Sequence, residues 1–518
     1  MIGLDDTIVS IALPTIARDF HAAVSGLQWI ADGYTMVLAS LLIFAGATAD
    51  RFGRRKVFRI GLGVFTAASA LCSLAPDLGW LIAFRAIQAV GGCMLNPVAV
   101  SIISSVFPGK TARARAIAIW VGVFGLGMAL GPTLGGVLVG TVGWRGIFWV
   151  NIPVGLAGIV LTSILVPESR ASDPRRADPV AQALVIVILG ALVYAIIEGA
   201  YTDWRAATIR SLFVAAGVAS AALALWEVRR KDPLIDPRYF LNRSFSAAVL
   251  IGICAFADLG GFLFLTTIYL QDVRGFSVID AGLHLLPTAA AMAVCPSVAA
   301  WLTERTGSPR LPLLMGGLTL MLSTSLMARL TETSADTRLL VTFGLFGVGM
   351  GLVNSQISVA AVAGMPTGQA GLASGIASAS RQVGQALGVA ISGSLLTAEA
   401  HGSMRSGFAL AGSHAWHLLF WCSSAVVLSG VLTTRAPARH ALASAPFRRR
   451  RLPAEGGQAQ QQRPALPPPP MPPPLPPLPR RMPASPGNSV RIPRLVKSRE
   501  ASGDQAPGSA LPNDPANS

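Results

Sequence analysis

Charge is what this chain has least of. Asp, Glu, Lys and Arg make up 13% of its 518 residues, against the roughly 25% usual in a soluble globular protein. Cysteine is scarce too: Cys72, Cys93, Cys254, Cys295 and Cys422 all fall inside apolar runs. An odd number without ligand spacing argues against a disulfide framework or a metal site. No G-x-x-x-x-G-K-[ST] loop is present, which excludes the usual phosphate cradle for ATP. No nucleophile–base pair stands out, so an enzyme is not expected and no cofactor is implied. A basic n-region with a small-residue cleavage site is also missing ahead of the first apolar run, so no cleavable signal peptide is expected.

What is abundant is hydrophobic sequence, 52% of the chain. It is arranged in runs of about 20 residues, each long enough to cross a bilayer. Fourteen spans are expected, near 1–17, 28–48, 57–75, 79–106, 116–140, 146–166, 179–199, 209–228, 244–270, 280–301, 312–330, 337–362, 372–398 and 414–433. The fold class is therefore an all-α polytopic membrane protein. Taken alternately, one set of loops carries roughly eighteen basic residues and the other about eight. The richer set is expected in the cytoplasm, with both termini, and the setting is the cell membrane. The net charge of +16 does not point to nucleic acid, because more than half of it lies in residues 434–518. That basic, proline-rich stretch cannot form a packed core and is expected to be a disordered cytoplasmic tail.

A repeat runs through the chain. Asp50-Arg51-x-Gly53 aligns with Glu304-Arg305-x-Gly307 at an offset of 254, FRAIQAVGG (84–92) with FGLFGVGMG (343–351), and Gly127/Gly131 with Gly384/Gly388. Two parallel six-helix halves, 1–166 and 241–433, with two linker helices in 167–240 account for all three alignments.

Two motifs carry chemistry. In GATADRFGRRK (46–56), positive-inside anchoring explains Arg51, Arg54, Arg55 and Lys56. It does not explain Gly46 one turn before Asp50, Gly53 in the turn, or the degenerate second copy. In GLGMALGPTLGG (125–136), Gly127, Gly131 and Gly135 are four apart and line one helix face, where a neighbouring backbone can come close. Pro132 removes a backbone donor and is expected to bend the helix.

The first motif resembles the G-x-x-x-D-R-x-G-R-R/K loop of the major facilitator superfamily. The second, with Gly136, resembles the antiporter motif of its drug-efflux members. LDDTIVSIALP (4–14), WIADGY (29–34), WRGIFWVNIPVG (144–155), IIEGAYTDW (196–204), YLQDVRGFSVIDAGLHLLP (269–287) and ASGIASASRQVGQALG (373–388) narrow it further. They are similar to the fourteen-span EmrB/QacA-type drug:proton antiporters, most of all the actinomycete antibiotic-resistance exporters. The resemblance covers roughly 1–433 and implies a first span that begins before Met1.

It further implies that Asp50 and its arginines form a cytoplasmic gate. The partners it implies are a hydrophobic drug or antibiotic, protons and the surrounding lipid, with a monomer as the working unit. Charges inside spans cost at least ~2.5–3.5 kcal/mol at mid-membrane, so each is a site candidate. Asp5 matches the family's L-D-x-T aspartate, and Arg85 its fourth-span arginine. Asp32, Glu198, Asp258 and Arg381 are the others, Asp258 because it lies in the span equivalent to the first. Asp6 occupies the variable x position and is expected to be solvated or incidental. A sensor that keeps the fold without transport, and a proton-symporting importer, stay open beside proton-driven export.

Overall fold

In lipid every backbone N–H and C=O must find a partner within the protein, which favours uninterrupted helices. The computed structural model describes residues 1–107, 109–171, 178–230, 237–363, 370–399 and 404–432, and among these it is helical with no strand. The tail expected over 434–518 lies outside the described residues. In chain order come α1 (Ile2–Phe20), α2 (Val24–Phe52), α3 (Arg54–Ser73), α4 (Leu78–Cys93) and α5 (Asn96–Val106). Then follow α6 (Lys110–Val142), α7 (Gly146–Trp149), α8 (Asn151–Leu165), α9 (Pro179–Gly199) and α10 (Ala207–Arg229). After a 3-10 turn (Pro237–Leu241), α11 (Arg243–Ile268) runs into a π turn (Tyr269–Val273). The rest are α12 (Val278–His284), α13 (Leu286–Thr306), α14 (Arg310–Met327), α15 (Asp336–Ala363), α16 (Ala370–Glu399) and α17 (Met404–Leu432).

Twelve helical segments among the described residues are long and apolar enough to cross a membrane. The expected first and thirteenth spans are helices as well, α1 and α16, but their composition is more polar. Nineteen-residue α1 holds Asp5, Asp6, Arg18 and Asp19, and α16 holds serines, glutamines and Arg381. Both are wrapped by other helices rather than lined by apolar surface: α1 packs on α6, and α16 on α11 and α2. The expected fourth span is broken at Met94-Leu95, where Pro97 opens α5.

Helix starts are written in the sequence. Asp77 accepts from the Trp80 amide at 3.0 Å, Asn242 from the Ser244 amide at 3.0 Å, and Ser277 from the Asp280 amide at 3.1 Å; each satisfies an orphan donor of the first turn. Gly53 turns the chain between α2 and α3 at φ +115°, a conformation open to glycine.

The repeat has a packing counterpart. Helix α2 and the α12–α13 pair occupy residues 24–52 and 278–306, the same length at the 254-residue offset. Gly127 of α6 lies on Leu4 of α1, and its equivalent Gly384 of α16 lies on Ile253 of α11. The α9–α10 pair sits outside. Gln182 of α9 donates to the Ser40 carbonyl on α2 at 2.6 Å, and Ser394 of α16 donates to the Ile196 carbonyl on α9 at 2.7 Å.

Candidate functional site

Helix α1 buries Asp5 completely against α4 and α8. Its Oδ2 accepts from Arg85 Nη1 at 2.6 Å. Its Oδ1 accepts from Gln88 Nε2 at 3.1 Å and Asn151 Nδ2 at 2.7 Å. Arg85 also donates to Gln88 Oε1 at 2.7 Å and lies 4.0 Å above the Tyr34 ring. Gln88 in turn donates to Ser69 at 2.6 Å. Opposite charges and hydrogen bonds thus compensate each other away from water, the condition under which a buried ion pair is tolerated. Asp5 and Arg85 were each expected as site candidates, and the structure brings them together. Gln88, Asn151, Ser69 and Tyr34 were not; the signals were there in Gln88 three residues after Arg85 and in the lone amide of WVNIP.

Asp6 differs from expectation. It is 7% exposed, not solvated, and its Oδ1 has no hydrogen-bond partner. It lines a narrow cavity with Val9, Thr35, Arg85, Leu263 and Gln385, between α1, α2 and α4 on one side and α11 and α16 on the other. A second narrow cavity is apolar, walled by Met128, Pro132, Leu259, Phe262 and Leu285 among others. Both have room for a water molecule at most.

The other charges in the spans are dispersed. Asp32 is fully buried on α2; Thr35 donates to its Oδ1 at 3.4 Å, and Oδ2 has no partner. Glu198, at the end of α9, accepts from the Trp29 indole at 2.9 Å and so ties α9 to α2. Asp258 faces α17, where Ser423 donates to it at 2.8 Å. In the register set by the glycine contacts, Cys254 rather than Asp258 occupies the place of Asp5. Arg381 donates to Ser358 at 2.5 Å. His284 contacts the Asp280 carbonyl one turn back at 2.8 Å.

The two motifs are built as follows. Asp50 pairs with Arg54 at 2.8 Å, while its carbonyl accepts from the Ala171 amide at 3.1 Å. Glu168, unforeseen from sequence, accepts from the Arg55 and Lys56 amides at 3.1 and 3.2 Å and caps the positive start of α3. Arg55 reaches the Ser163 carbonyl at 2.6 Å, Gly46 faces Pro97, and exposed Arg51 lies over Phe52. Among the described residues, these partners all fall between residues 46 and 171.

In the other motif, a Cβ on Gly135 would stand 2.6 Å from Ile11, one on Gly131 would overlap the Thr7 hydroxyl, and one on Gly136 would meet Val278 at 2.7 Å. Glycine there lets α6 touch α1 on one face and α12 on another. Helix α6 runs through Pro132 unbroken. Proline has no N–H for the carbonyl four residues back, and that carbonyl, Met128, accepts instead from the Thr7 hydroxyl at 2.9 Å. The L-D-D-T and G-P stretches therefore complete one another. Thr133 donates to the Gly282 carbonyl at 3.1 Å. Gln28 donates to the Ala390 carbonyl at 2.7 Å and Gln271 to that of Ile11 at 2.8 Å. These bonds join the α1–α8 helices to the α11–α17 helices at the end away from the 46–56 loop.

A family model described as Major Facilitator Superfamily matches residues 1–389. Multidrug resistance protein Stp of Mycobacterium tuberculosis is 40% identical over 400 residues, covering 77% of this chain and 74% of that protein. The tetracenomycin C resistance and export protein of Streptomyces glaucescens is 36% identical over 402 residues, covering 76% and 73%. Among solved structures, a bacterial homologue of the human lysosomal transporter Spinster, inward-facing and unoccupied, superposes with a TM-score of 0.58 at 18% identity. It covers 83% of this chain and 93% of that one, a likeness of fold.

Proposed function

Because the chain belongs to the Major Facilitator Superfamily, we propose that it exports hydrophobic drugs or antibiotics across the cell membrane in exchange for protons, as a fourteen-span transporter of the EmrB/QacA type. In this reading α1 and α16 cross the bilayer with the twelve apolar segments, and both termini are cytoplasmic. Residues 1–166 and 241–433 are the moving halves, and 167–240 supplies the linker pair.

The observation that carries the reading is the buried Asp5–Arg85–Gln88–Asn151 cluster beside a cavity between the two halves. An acid in a low-dielectric site exchanges its proton only when its surroundings change, and alternating access supplies that change. Arg85 keeps its charge throughout. It holds Asp5 in one state and releases it when a proton takes its place. The contacts of Gln28, Thr133 and Gln271 close the outer side, while Asp50 and Arg54 bond within their own half, an arrangement suited to a state closed to the outside. The driving force is adequate. One charge moved through 150 mV is worth roughly 3.5 kcal/mol, which sustains a gradient of a few hundred-fold.

The test is reconstitution of the full chain into proteoliposomes with a trapped pH-sensitive dye. Adding ethidium or doxorubicin is expected to release protons, and collapsing the pH gradient is expected to stop drug accumulation. Drug movement indifferent to the gradient would overturn proton exchange; no movement of any probe would overturn export.

A further inference from the structure

Arg85 and Arg381 are both cations inside helical spans, but only Arg85 has a counter-charge, Asp5 at 2.6 Å. Arg381, on α16, donates to the hydroxyls of Ser358 at 2.5 Å and Ser378 at 3.5 Å, and its guanidinium lies 5.8 Å from the Phe256 ring. No carboxylate pairs with it among the described residues, and its buried Nε has no acceptor. Asp6 is not its counter-ion: that acid is met by Gln382, which points about 100° away from Arg381 on the helix. In the fourteen-span reading Arg381 stands eleven residues into α16. That is about 16 Å at 1.5 Å per residue, near the middle of a hydrocarbon core about 30 Å thick. An unpaired cation at that depth is costly and marks a site.

The two serines leave further donors over. A serine in a helix commonly returns its own proton to a carbonyl three or four residues back, as Ser380 does to Ala377 at 2.9 Å. Ser358 and Ser378 accept from Arg381, and among the described residues neither hydroxyl finds an acceptor for its own proton. One cation, a free Nε–H and two unspent hydroxyl protons thus come together from α15 and α16. All three side chains are half-buried rather than sealed. On α16, Ser378, Arg381 and Gln385 share one face at helical spacing, and Gln385 lines the cavity between the two sets of helices. The cluster therefore borders the approach to that cavity.

We propose that Arg381, with Ser358 and Ser378, binds a carboxylate carried by the exported substrate. The planar guanidinium matches the two oxygens of a carboxylate. A monoanion balances its single charge, whereas a phosphate dianion would need a second cation. The bound acid supplies the missing counter-charge and an acceptor for the Nε–H at once. The inference deepens the exporter reading and rests on it only for the substrate's being exported; the binding itself does not depend on transport. A site built to pair buried polar groups discriminates strongly against an analogue that leaves them unpaired.

The test uses the full chain in phosphatidylcholine nanodiscs with a matched pair of fluorescent probes, dansyl-phenylalanine and its methyl ester, which differ in the carboxylate. Binding to empty nanodiscs is subtracted. The wild-type protein is expected to bind the acid about tenfold or more tightly than the ester. Arg381→Gln is expected to bring the two within about twofold while leaving the ester's own affinity unchanged, and Arg381→Lys still favours the acid. Should Arg381→Gln fail to fold, the double variant Ser358→Ala with Ser378→Ala decides, with an expected several-fold loss of the preference. A wild-type protein with no preference, or with no saturable binding of the acid, would overturn the proposal. So would an Arg381→Gln protein that still prefers the acid, or one in which both affinities fall together, the mark of a structural residue. A double serine variant with its preference intact would overturn it as well. Proton-coupled movement of ethidium or doxorubicin is scored separately. If neither moves, the exporter reading fails while the binding comparison still decides the subsite.

Discussion

At the scale of single residues, the cation of Arg85 is held by a carboxylate, an amide and an aromatic face, with Asn151 and Ser69 extending the network. Replacing Asp5 with Asn leaves that cation buried without its counter-charge, a change that costs on the order of 3–5 kcal/mol. Asp5→Asn is therefore expected to lower the melting temperature and to abolish drug-driven proton release. Full coupling in that variant would remove Asp5 from the mechanism. Asp258→Asn is expected to differ: its amide oxygen still accepts from Ser423, so coupled transport should stay within about twofold of wild type. Asp5 and Arg85 were legible because a charge in an apolar run is costly and therefore conspicuous. Asp6 was misjudged because its cavity is completed by residues as distant in sequence as Leu263 and Gln385, which no local pattern encodes. Gln88 and Asn151 escaped notice because an uncharged amide in a helix looks like any other polar residue until its partner is known.

Among the elements, α1 and α6 depend on each other through one hydrogen bond and a stripe of glycines. Thr7→Val keeps the shape of the side chain and removes the donor to Met128, leaving a buried carbonyl orphaned beside Pro132. A loss of about 1–3 kcal/mol is expected by thermal unfolding in nanodiscs; an unchanged midpoint would mean that the carbonyl finds another donor.

The linker pair makes a second prediction. Asp178 caps α9 through the Val180 and Ala181 amides at 3.1 Å, accepts from the Trp226 indole at 3.0 Å, and pairs with Arg230. Burial opposes its charge, but the Ala181 amide, Trp226, Arg230 and the Val180 amide together hold its pKa below the usual carboxylate value. A lowered folded-state pKa stabilises above the unfolded value, about 3.9, and that contribution is lost as the pH falls through the folded one. Asp178→Ala should cost about 1 kcal/mol at neutral pH, and the difference from wild type should vanish in acid. A difference that persists there would assign the effect to packing.

The helices themselves were readable from apolar runs and caps. Helices α1 and α16 carry more polar residues than the twelve apolar segments, which their packing against α6, α11 and α2 permits.

The molecule as a whole is two sets of helices joined at the end remote from the 46–56 loop. A Cβ on Gly393 would lie 2.7 Å from Gln28 Cγ, the place a cysteine sulfur would take, a separation close enough for a disulfide. In a background lacking the five native cysteines, Gln28→Cys with Gly393→Cys is expected to cross-link and to stop transport until a reductant is added. Undiminished transport by the cross-linked protein would mean that this seam never opens. The same seam is roofed by α9, which hydrogen-bonds to α2 through Gln182 and Glu198 and to α16 through the Ile196 carbonyl. On the opposite flank, α6 meets α12 and α13 with no such cover among the described residues. The two flanks thus present unlike doors to the bilayer. Seen from the acyl chains, one seam is covered and the other is not, so the repeat that relates the two halves does not relate the two flanks.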